Sequence, residues 1–389
     1  MQRLALLSTA TAALLLLVAL TEPVFDMYLV GRYASAGVLS GPRALLERGL
    51  PGLAAVVTLT LLVAPLAHLL ILGLSLVGSH LQKPARFWFM PLGLAERARH
   101  WSMGDVFLLG ALVCYVRLRG WGQVDIGAAV ASLIALRLVT ISADSALDPS
   151  ELWQRMPWHR PDHGRQGDAA ERRSSPPALP SAREEASHVA CGWCRLVSKA
   201  AEGQACPRCG RALHARQRNS IQRTGALLLT AGLLTLPANA LPVMEMIRFG
   251  RPDTHTIYSG VVELVQHELW GLAVVIFVAS IVIPLIKVVV LGLLLWTTAQ
   301  RRTGYLRLRT RAFRFVHYIG RWSMVDVFAV TVLVSLVHVG VLASVLPRYG
   351  AVAFCAVVVL TMWATDAFDP RLMWDAAGKN GPAKQRCVR

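Results

Sequence analysis

The chain has 389 residues, of which 54% are hydrophobic and 16% are charged, whereas a soluble domain carries about 25% charged residues. The formal net charge of +17 would suit a nucleic-acid partner, but the Lys and Arg residues stand between long apolar runs, where membrane proteins carry them. Composition therefore excludes an ordinary soluble domain, and the charge pattern indicates contact with a membrane surface rather than with nucleic acid.

Apolar runs long enough to cross a bilayer recur along the chain, since a transmembrane helix needs about 20 mostly apolar residues. The clear candidates are the stretches 4–20, 53–77, 226–241, 272–297 and 323–346. Weaker candidates are 106–116, 126–141 and 351–367. No small-x-small cleavage site closely follows the first run, so we interpret it as a retained span rather than a signal peptide. The sequence thus predicts an all-α polytopic membrane protein with about eight spans.

The basic residues are concentrated in alternate loops between these spans. The loop 301–321 alone carries seven Arg residues, whereas the loops on the opposite side hold few. Since Lys and Arg gather on the cytoplasmic side of membrane proteins, we expect both termini and the segment 148–223 to lie in the cytoplasm.

The two halves of the chain resemble each other, with residues 1–155 matching residues 222–375. The shared positions lie 219 or 221 residues apart and include Pro23 with Pro242, Pro65 with Pro284, Trp101-Ser102-Met103-x-Asp105-Val106-Phe107 with Trp322-Ser323-Met324-x-Asp326-Val327-Phe328, and Asp148-Pro149 with Asp369-Pro370. A match of this extent indicates a tandem duplication. Each copy holds about four spans, an even number, so both copies should have the same orientation across the membrane, as in parallel-repeat transporters.

The repeat and the polar segment between its copies divide the chain into five regions. The segment after the first copy is rich in Arg, Pro, Ser and Glu, a composition typical of disorder. The predicted regions are a first transmembrane module (1–155), a disordered cytoplasmic linker (156–188), a small zinc ribbon (189–215), a second transmembrane module (216–375) and a basic cytoplasmic tail (376–389).

Two CxxC pairs form the predicted ribbon: Cys191 with Cys194, and Cys206 with Cys209. Four thiolates at this spacing suit the tetrahedral geometry of a structural Zn²⁺ site, which leaves no open position for catalysis. Gly210 follows the second pair, where knuckle turns often need a positive φ. A reducing cytoplasm disfavours disulfides, and no βαβ unit supports a redox CxxC, while iron is a minor alternative. We therefore predict structural zinc.

Ionisable residues inside the predicted spans are candidates for function, because they are costly there unless paired or hydrated. Lys287 and Asp326 lie in two spans of the second module, and a Lys and an Asp on neighbouring helices could pair and exchange a proton. His68 and Asp105 occupy the corresponding positions of the first module, although a lone His is more often a satisfied core residue.

A purely structural interpretation of these charges is also open. Ser102 and Ser323 precede Asp105 and Asp326 by three residues, which fits helix N-caps, and an acid in the first helical turn favours the helix dipole. For Lys287 the structural alternative is an inert ion pair, or snorkelling to the nearer interface.

Motifs of nucleotide and hydrolytic chemistry are absent from the sequence. It contains no Walker P-loop, no GxGxxG in a βαβ setting, no HExxH and no GxSxG. We therefore expect the protein not to be an enzyme, and we expect any energy coupling to come from an ion gradient or from a partner.

The duplicated Trp-Ser-Met-x-Asp-Val-Phe, the duplicated Asp-Pro-x-x-x-Trp and the CxxC…CPxCG ribbon before a membrane module together resemble the paraquat-inducible protein A (PqiA/LetA) family. The resemblance covers nearly the whole chain apart from the linker. It implies a Gram-negative inner-membrane protein of the cell envelope. That protein would move phospholipids between the inner membrane and a periplasmic tunnel, formed by a partner with mammalian-cell-entry (MCE) domains.

Carried over residue by residue, the resemblance also implies functional positions. The metal ligands would be the four cysteines already named. The polar transport network of the second module would comprise Lys287, Ser323, Asp326 and a threonine of the last span, Thr361 or Thr365. One departure is plain, because family members commonly carry a ribbon before each module and this chain holds one four-cysteine set.

The favoured hypothesis is a lipid-transport subunit whose intramembrane charges respond to protonation. Two hypotheses from other classes stay open, namely a membrane thiol-redox protein that uses the CxxC pairs and a passive membrane scaffold for the MCE partner. Metal-free, redox-active cysteines would distinguish the first alternative, and dispensable intramembrane charges would distinguish the second.

Overall fold

A computed structural model describes most of the chain. The described residues are 2–29, 32–80, 92–119, 123–146, 188–199, 203–217, 219–248, 251–266, 268–337 and 343–380. The predicted linker 156–188, apart from its last residue, and the end of the predicted tail from residue 381 lie outside the described residues.

The described chain is mostly helical, because its long apolar runs satisfy their backbone polar groups internally. The helices are α1 (Gln2–Thr21), α2 (Ser40–Glu47), α3 (Pro51–Thr58), α4 (Ala64–His80), α5 (Leu92–Trp101), α6 (Gly104–Leu118), α7 (Ala128–Ala146), α8 (Ser220–Ala240), α9 (Ile257–Gln266), α10 (Trp270–Phe277), α11 (Ile283–Ala299), α12 (Leu306–Ile319), α13 (Val325–Leu336), α14 (Tyr349–Ala367) and α15 (Arg371–Asn380). One π-helical turn joins α3 to α4, and another joins α10 to α11.

Six helical stretches among the described residues are long and apolar enough to cross a membrane. They are Pro51–Gly78, Gly93–Leu118, Ala128–Ser145, Trp270–Ala299, Leu306–Leu336 and Tyr349–Ala367. The first predicted span corresponds to a shorter apolar helix, Leu6–Thr21, and α8 is not among the six. The total of eight spans therefore stays a prediction.

The fold also contains short strands, which the all-α prediction omitted. They are β1 (Pro23–Leu29), β2 (Arg32–Gly37), β3 (Gln123–Ile126), β4 (His188–Ala190), β5 (Val197–Lys199), β6 (Met244–Arg248), β7 (Arg251–His255) and β8 (Ala343–Pro347). Two antiparallel three-stranded sheets have the orders β2-β1-β3 and β7-β6-β8, and β4 pairs with β5. The predicted span 323–346 therefore ends early, at Leu336, because residues beyond it pair with β6.

A close contact between a glycine and a proline carbonyl occurs beside each of the two three-stranded sheets. A Cβ on Gly350, at the start of α14, would lie 2.5 Å from the Pro242 carbonyl oxygen. A Cβ on Gly127, just before α7, would meet the Pro23 carbonyl, with the carbonyl carbon 2.7 Å away. Since Pro23 and Pro242 are equivalent in the sequence repeat, the same glycine–proline approach occurs beside both sheets.

Contact density divides the chain into two compact units. We call Met1–Ala13, Pro65–His100 and Leu138–Ala215 the ribbon unit, and Leu14–Ala64, Trp101–Arg137 and Arg216–Arg389 the sheet unit. The cysteine pairs belong to the ribbon unit, and both three-stranded sheets belong to the sheet unit. The two units are defined by contact density, whereas the predicted domains were defined by the sequence repeat. The units therefore do not test the predicted domain boundaries, which stay a prediction.

Candidate functional site

The four cysteines of the ribbon unit lie together around a common centre. Their sulfur atoms are all within 4.8 Å of one another, with Sγ–Sγ distances of 3.5 Å from Cys191 to Cys209 and 3.6 Å from Cys194 to Cys206. Tetrahedral ligands at a Zn–S distance of about 2.3 Å would be separated by about 3.8 Å. All four cysteines are buried and free of disulfides, so their geometry fits a tetrahedral metal ion.

Each CxxC pair sits on a tight turn that aims both sulfur atoms inward. The Arg195 amide donates to the Cys191 carbonyl at 3.0 Å, and the Gly210 amide donates to the Cys206 carbonyl at 2.8 Å. Gly210 has φ +75°, the positive value predicted for it, and Arg195 at the equivalent place has φ +57°. These backbone turns therefore orient the four thiols toward one centre.

The thiols differ in how readily they ionise. Burial raises the pKa of Cys191, but the backbone N–H groups of Cys194 and Trp193 and the neighbouring thiols outweigh burial and lower that pKa to about 7. Burial raises the pKa of Cys194 and of Cys209, and the nearby Cys191 charge raises both further. Thiolates this close repel one another, which a bound cation would offset.

The ribbon packs against helix α5 through one aromatic ring. The Trp193 ring lies so close to Gly93 that a Cβ there would be 2.7 Å from two ring carbons. The guanidinium groups of Arg211 and Arg97 lie 3.5 Å and 5.0 Å from the ring centre, and Arg195 pairs with Glu96 on the same helix. The four-cysteine cluster is therefore held against a membrane-module helix.

His68, the predicted first-module counterpart of Lys287, is buried in the ribbon unit with both ring nitrogens engaged. Its Nδ1 lies 3.0 Å from the Ala95 carbonyl oxygen, and its Nε2 lies 3.2 Å from Asp144 Oδ1. Arg99 lies 3.4 Å from the other oxygen of the same carboxylate. This is the environment of a satisfied core histidine.

Asp105, the first-module counterpart of Asp326, lies in the sheet unit and forms ion pairs with two arginines. Its carboxylate is 2.8 Å from Arg137 and 2.7 Å from Arg321, and the Ser102 carbonyl oxygen accepts a further hydrogen bond from Arg137 at 2.7 Å. Because Asp105 links helix α6 to residues of both sequence halves, its contacts are those of a structural brace.

The predicted serine caps were wrong at both positions. The N-cap residues of α6 and α13 are Met103 and Met324, and neither makes a side-chain cap hydrogen bond. Ser323 lies inside a short 3₁₀ turn, Gly320–Met324, where the chain is already helical before α13 begins. The aspartates Asp105 and Asp326 do occupy the first turns of their helices.

Lys287, in helix α11, is fully buried in the sheet unit. Its Nζ donates one long hydrogen bond, 3.4 Å, to the Gly320 carbonyl oxygen, and it makes no ion pair with any described residue. Ser323 Oγ and Asp326 Oδ2 are buried without a hydrogen-bond partner in the described chain. The predicted network residues are therefore buried, but the proposed Lys287–Asp326 ion pair is not formed in this structure.

The two threonines of the last span lie on helix α14 and are buried. Thr361 Oγ1 donates to the Val358 carbonyl oxygen at 2.9 Å, and Thr365 Oγ1 donates to the Thr361 carbonyl oxygen at 2.6 Å. Both hydroxyls are satisfied within their own helix, as is common for threonine in apolar helices. Each can still accept one further hydrogen bond.

A cavity that is partly open to the surroundings lies inside the sheet unit. Its walls are mainly apolar and include Leu53, Val113, Leu264, Ile276, Leu333 and Phe354. Its charged lining groups are Arg117, at the end of α6, and Asp326, in the first turn of α13. A mainly apolar cavity with a few charged or polar groups has the chemical character of a ligand site.

Arg117 is the cavity residue that sequence reasoning missed. Its guanidinium lies 3.6 Å from Glu263 on helix α9, and Glu263 also lies 3.6 Å from His255 Nδ1. Arg117 directly follows the predicted span 106–116, and the sequence analysis assigned it no role. The sequence feature that could have identified Arg117 is a single basic residue directly after an apolar run, together with an acidic residue, Glu263, in the other half of the chain.

These observations define a multi-pass α-helical membrane protein with four cysteines placed to hold a metal ion and a cavity among its helices. A family model described as Paraquat-inducible protein A matches residues 1–157 and 221–378. The chain therefore belongs to the paraquat-inducible protein A family, which confirms the resemblance stated from its motifs.

Relatives in two bacteria support this membership. The chain is 34% identical over 275 residues to Intermembrane transport protein PqiA of Escherichia coli K12, covering 71% of this chain but only 63% of that relative, less than two thirds of its length. It is 30% identical over 366 residues to Lipophilic envelope-spanning tunnel protein A of the same strain, covering 94% of this chain and 80% of that relative.

A third relative, a probable intermembrane transport protein of Haemophilus influenzae, is 26% identical over 362 residues, covering 91% of this chain and 82% of the relative. Two of these relatives are named as intermembrane transport proteins, and one is named as a tunnel protein. No solved structure matches the chain.

Proposed function

We propose that this chain is the inner-membrane subunit of an intermembrane lipid-transport system. It would move phospholipids between the inner membrane and a periplasmic tunnel formed by an MCE-domain partner. The single observation that carries the proposal is the mainly apolar cavity with two charged groups in the sheet unit. Family membership and the names of the relatives point to the same function.

The intramembrane polar groups would couple lipid movement to protonation. Lys287 is completely buried with one long hydrogen bond, and Asp326 Oδ2 and Ser323 Oγ have no partner in the described chain. Unsatisfied buried groups are costly, so a second conformation that pairs them would be favoured. The buried Thr361 and Thr365 would supply acceptor oxygens in that conformation. Protonation of Asp326 would remove its buried charge and change the balance between the two conformations.

The four-cysteine cluster would hold structural zinc and brace the membrane helices from the cytoplasm. Zn²⁺ suits four thiolates, and four protein ligands leave no open position for substrate. Zinc content of the purified protein tests this directly. Reversible disulfides in place of a metal would favour the thiol-redox alternative.

The repeated features support an origin by duplication, with two four-span modules and both termini in the cytoplasm. The sheets have the same strand order, the π-helical turns Leu59–Val63 and Val278–Val282 lie 219 residues apart, and both sheets carry the close glycine–proline approach. Under this proposal α1 and α8 are the first spans of the two modules. The segment 301–321, predicted from the sequence as a cytoplasmic loop, contains helix α12, and cysteine accessibility along it would test the orientation.

The function can be tested by transfer of a labelled phospholipid from vesicles containing the purified protein to an MCE-domain acceptor. Lys287→Ala and Asp326→Asn should each abolish most transfer while leaving the protein level unchanged, because each removes a buried charge of the proposed network. Asp125→Asn, at an exposed position on β3, is the matched control and should transfer normally. Full transfer by both network variants would refute protonation coupling, and no transfer by the unmodified protein would refute the lipid-transport proposal itself.

A further inference from the structure

We propose that the exposed side of helix α12 binds the headgroups of anionic phospholipids at the membrane surface. This side, which we call the arginine face, comprises Arg307, Arg311 and Arg314 with the neighbouring Leu308, Phe315 and Tyr318. The ligands belong to the surrounding membrane rather than to the transported cargo, so the inference goes beyond the proposed function and does not depend on it.

The three arginines share one side of α12 because of their spacing. Positions 307, 311 and 314 are four and three residues apart, and residues at these separations are neighbours on the surface of an α-helix. All three residues are exposed. Helix α12 therefore presents three guanidinium groups in one direction.

The opposite side of α12 is fixed to the rest of the sheet unit. Arg309 is buried there, and its guanidinium donates to the Thr298 hydroxyl at 2.9 Å and to the Arg302 carbonyl oxygen at 2.8 Å. The rings of Phe313 and Phe368 pack with their centres 5.4 Å apart. These contacts fix the rotation of the helix about its axis and direct the arginine face away from the unit.

The positive charge of the arginine face is not neutralised within the described chain. The segment 269–325 contains no Asp or Glu, and the three arginines form no ion pair or side-chain hydrogen bond with a described residue. By contrast, Arg321 lies 2.7 Å from the Asp105 carboxylate. Like charges at these helical spacings are destabilising, so anions that bind from outside the protein would relieve the repulsion.

The apolar side chains beside the arginines favour a lipid over a soluble polyanion. Leu308, Phe315 and Tyr318 are each more than half exposed. A helix that combines basic residues with exposed Phe and Leu is typical of the membrane interface, where the charges meet phosphates and the apolar side chains enter the acyl boundary. A soluble polyanion would leave Leu308 and Phe315 in water.

The place of α12 in the chain also puts it at the membrane surface. It follows the stretch Trp270–Ala299 and opens the stretch Leu306–Leu336, both of which are long and apolar enough to span a membrane. The second stretch has 31 residues, whereas about 20 cross the hydrocarbon. Because arginine is costly in hydrocarbon, the arginine-rich beginning of this stretch is the part that lies at the level of the lipid phosphates.

The inference can be tested by photo-crosslinking of the full-length protein in vesicles with equal amounts of phosphatidylglycerol and phosphatidylcholine that carry the same acyl chains. Phe315 is replaced by the photoreactive amino acid p-benzoylphenylalanine, and lipid adducts are counted by mass spectrometry. One basic residue near an anionic surface contributes about fivefold in binding, so three should favour phosphatidylglycerol adducts by at least about tenfold. Salt at about 0.5 M should reduce this preference by screening.

Substitutions of the arginines separate charge from packing. The combined Arg307→Gln, Arg311→Gln and Arg314→Gln variant should bring the adduct ratio to within about twofold of one, while Lys at the same three positions should keep most of the preference. Because these side chains contact no described partner, the glutamine variant should unfold at the same temperature as the unmodified protein.

Two controls locate the effect on the arginine face. The same photoreactive group at Phe277, an exposed residue of α10, should form adducts without headgroup preference. The second control removes three exposed arginines at scattered positions and should keep the ratio: Arg43→Gln, Arg119→Gln and Arg223→Gln.

Three results would overturn the inference. The first is an adduct ratio near one in the protein with intact arginines. The second is an unchanged ratio in the combined glutamine variant. The third is a crosslink between two copies of the chain in place of lipid adducts, because the arginine face would then be an interface between copies.

Discussion

Gly350→Ala should destabilise the protein, because the start of α14 packs against main chain at this point. The added Cβ would lie 2.5 Å from the Pro242 carbonyl oxygen and 2.7 Å from the Leu241 carbonyl oxygen. Ordinary contact begins at 3.4 Å, so the backbone must recede by roughly 0.9 Å to relieve the overlap. Neither oxygen can move away by a side-chain rotation.

The hydrogen bonds around this contact oppose that movement. The Gly350 amide donates to the Pro242 carbonyl at 3.2 Å, and the Arg348 amide donates to the Val243 carbonyl at 2.9 Å. Overpacking of this kind costs about 1–3 kcal/mol, while replacing Gly by Ala inside a helix gains about 0.5–1 kcal/mol. We therefore expect a net loss of about 1–2 kcal/mol in the free energy of unfolding.

Gly271→Ala is the matched control. Like Gly350, Gly271 is the second residue of its helix, but a Cβ there has no atom within 4 Å. Intrinsic tryptophan fluorescence during heating in detergent would measure both unfolding midpoints. The unfolding midpoint of Gly350→Ala should lie a few degrees below that of the control. Gly127→Ala should lower the midpoint in the same way. Equal midpoints for Gly350→Ala and Gly271→Ala would refute the packing argument.

Two further substitutions test the ribbon contact and the arginine brace. Gly93→Ala should force the Trp193 ring away from helix α5 and increase the rate at which zinc is lost to a chelator. Gly192→Ala is the control, because a Cβ there meets no atom within 4 Å, and it should not change that rate. Equal rates of zinc loss in the two variants would contradict the packing of the ribbon on α5. Asp105→Asn removes the partner of two arginines and should lower the unfolding midpoint measurably. Glu47→Gln, which breaks a highly exposed pair, should cost only about 0.3–0.5 kcal/mol, and an equal effect of the two substitutions would show that the brace contributes little.

The predictions from sequence were most successful where the physical cause is local. Apolar stretches identified the membrane helices, because crossing a bilayer depends on about 20 consecutive residues. The spacing of the four cysteines identified the cluster whose sulfur atoms converge, because each CxxC turn is a local structure. The positive φ at Gly210 followed from the same local geometry.

The predictions failed or stayed incomplete where distant segments meet. Strand β3 pairs with β1 from about one hundred residues away, so its four residues carry no recognisable signal of their own. The serine caps were wrong because a 3₁₀ turn precedes α13. Lys287 and Asp326, which could have paired, form no ion pair among the described residues, and Lys287 donates to the Gly320 carbonyl oxygen.

The sequence by itself determined that this protein spans membranes, belongs to its family and carries a four-cysteine cluster, because hydropathy, motifs and ligand spacing are properties of short segments. Only the tertiary structure decided which charges share a cavity. Arg117 and Asp326 are more than two hundred residues apart in the sequence, yet both line the same mainly apolar cavity. That proximity depends on how helices pack, and helix packing is set by the shapes of many side chains together rather than by any one stretch of sequence.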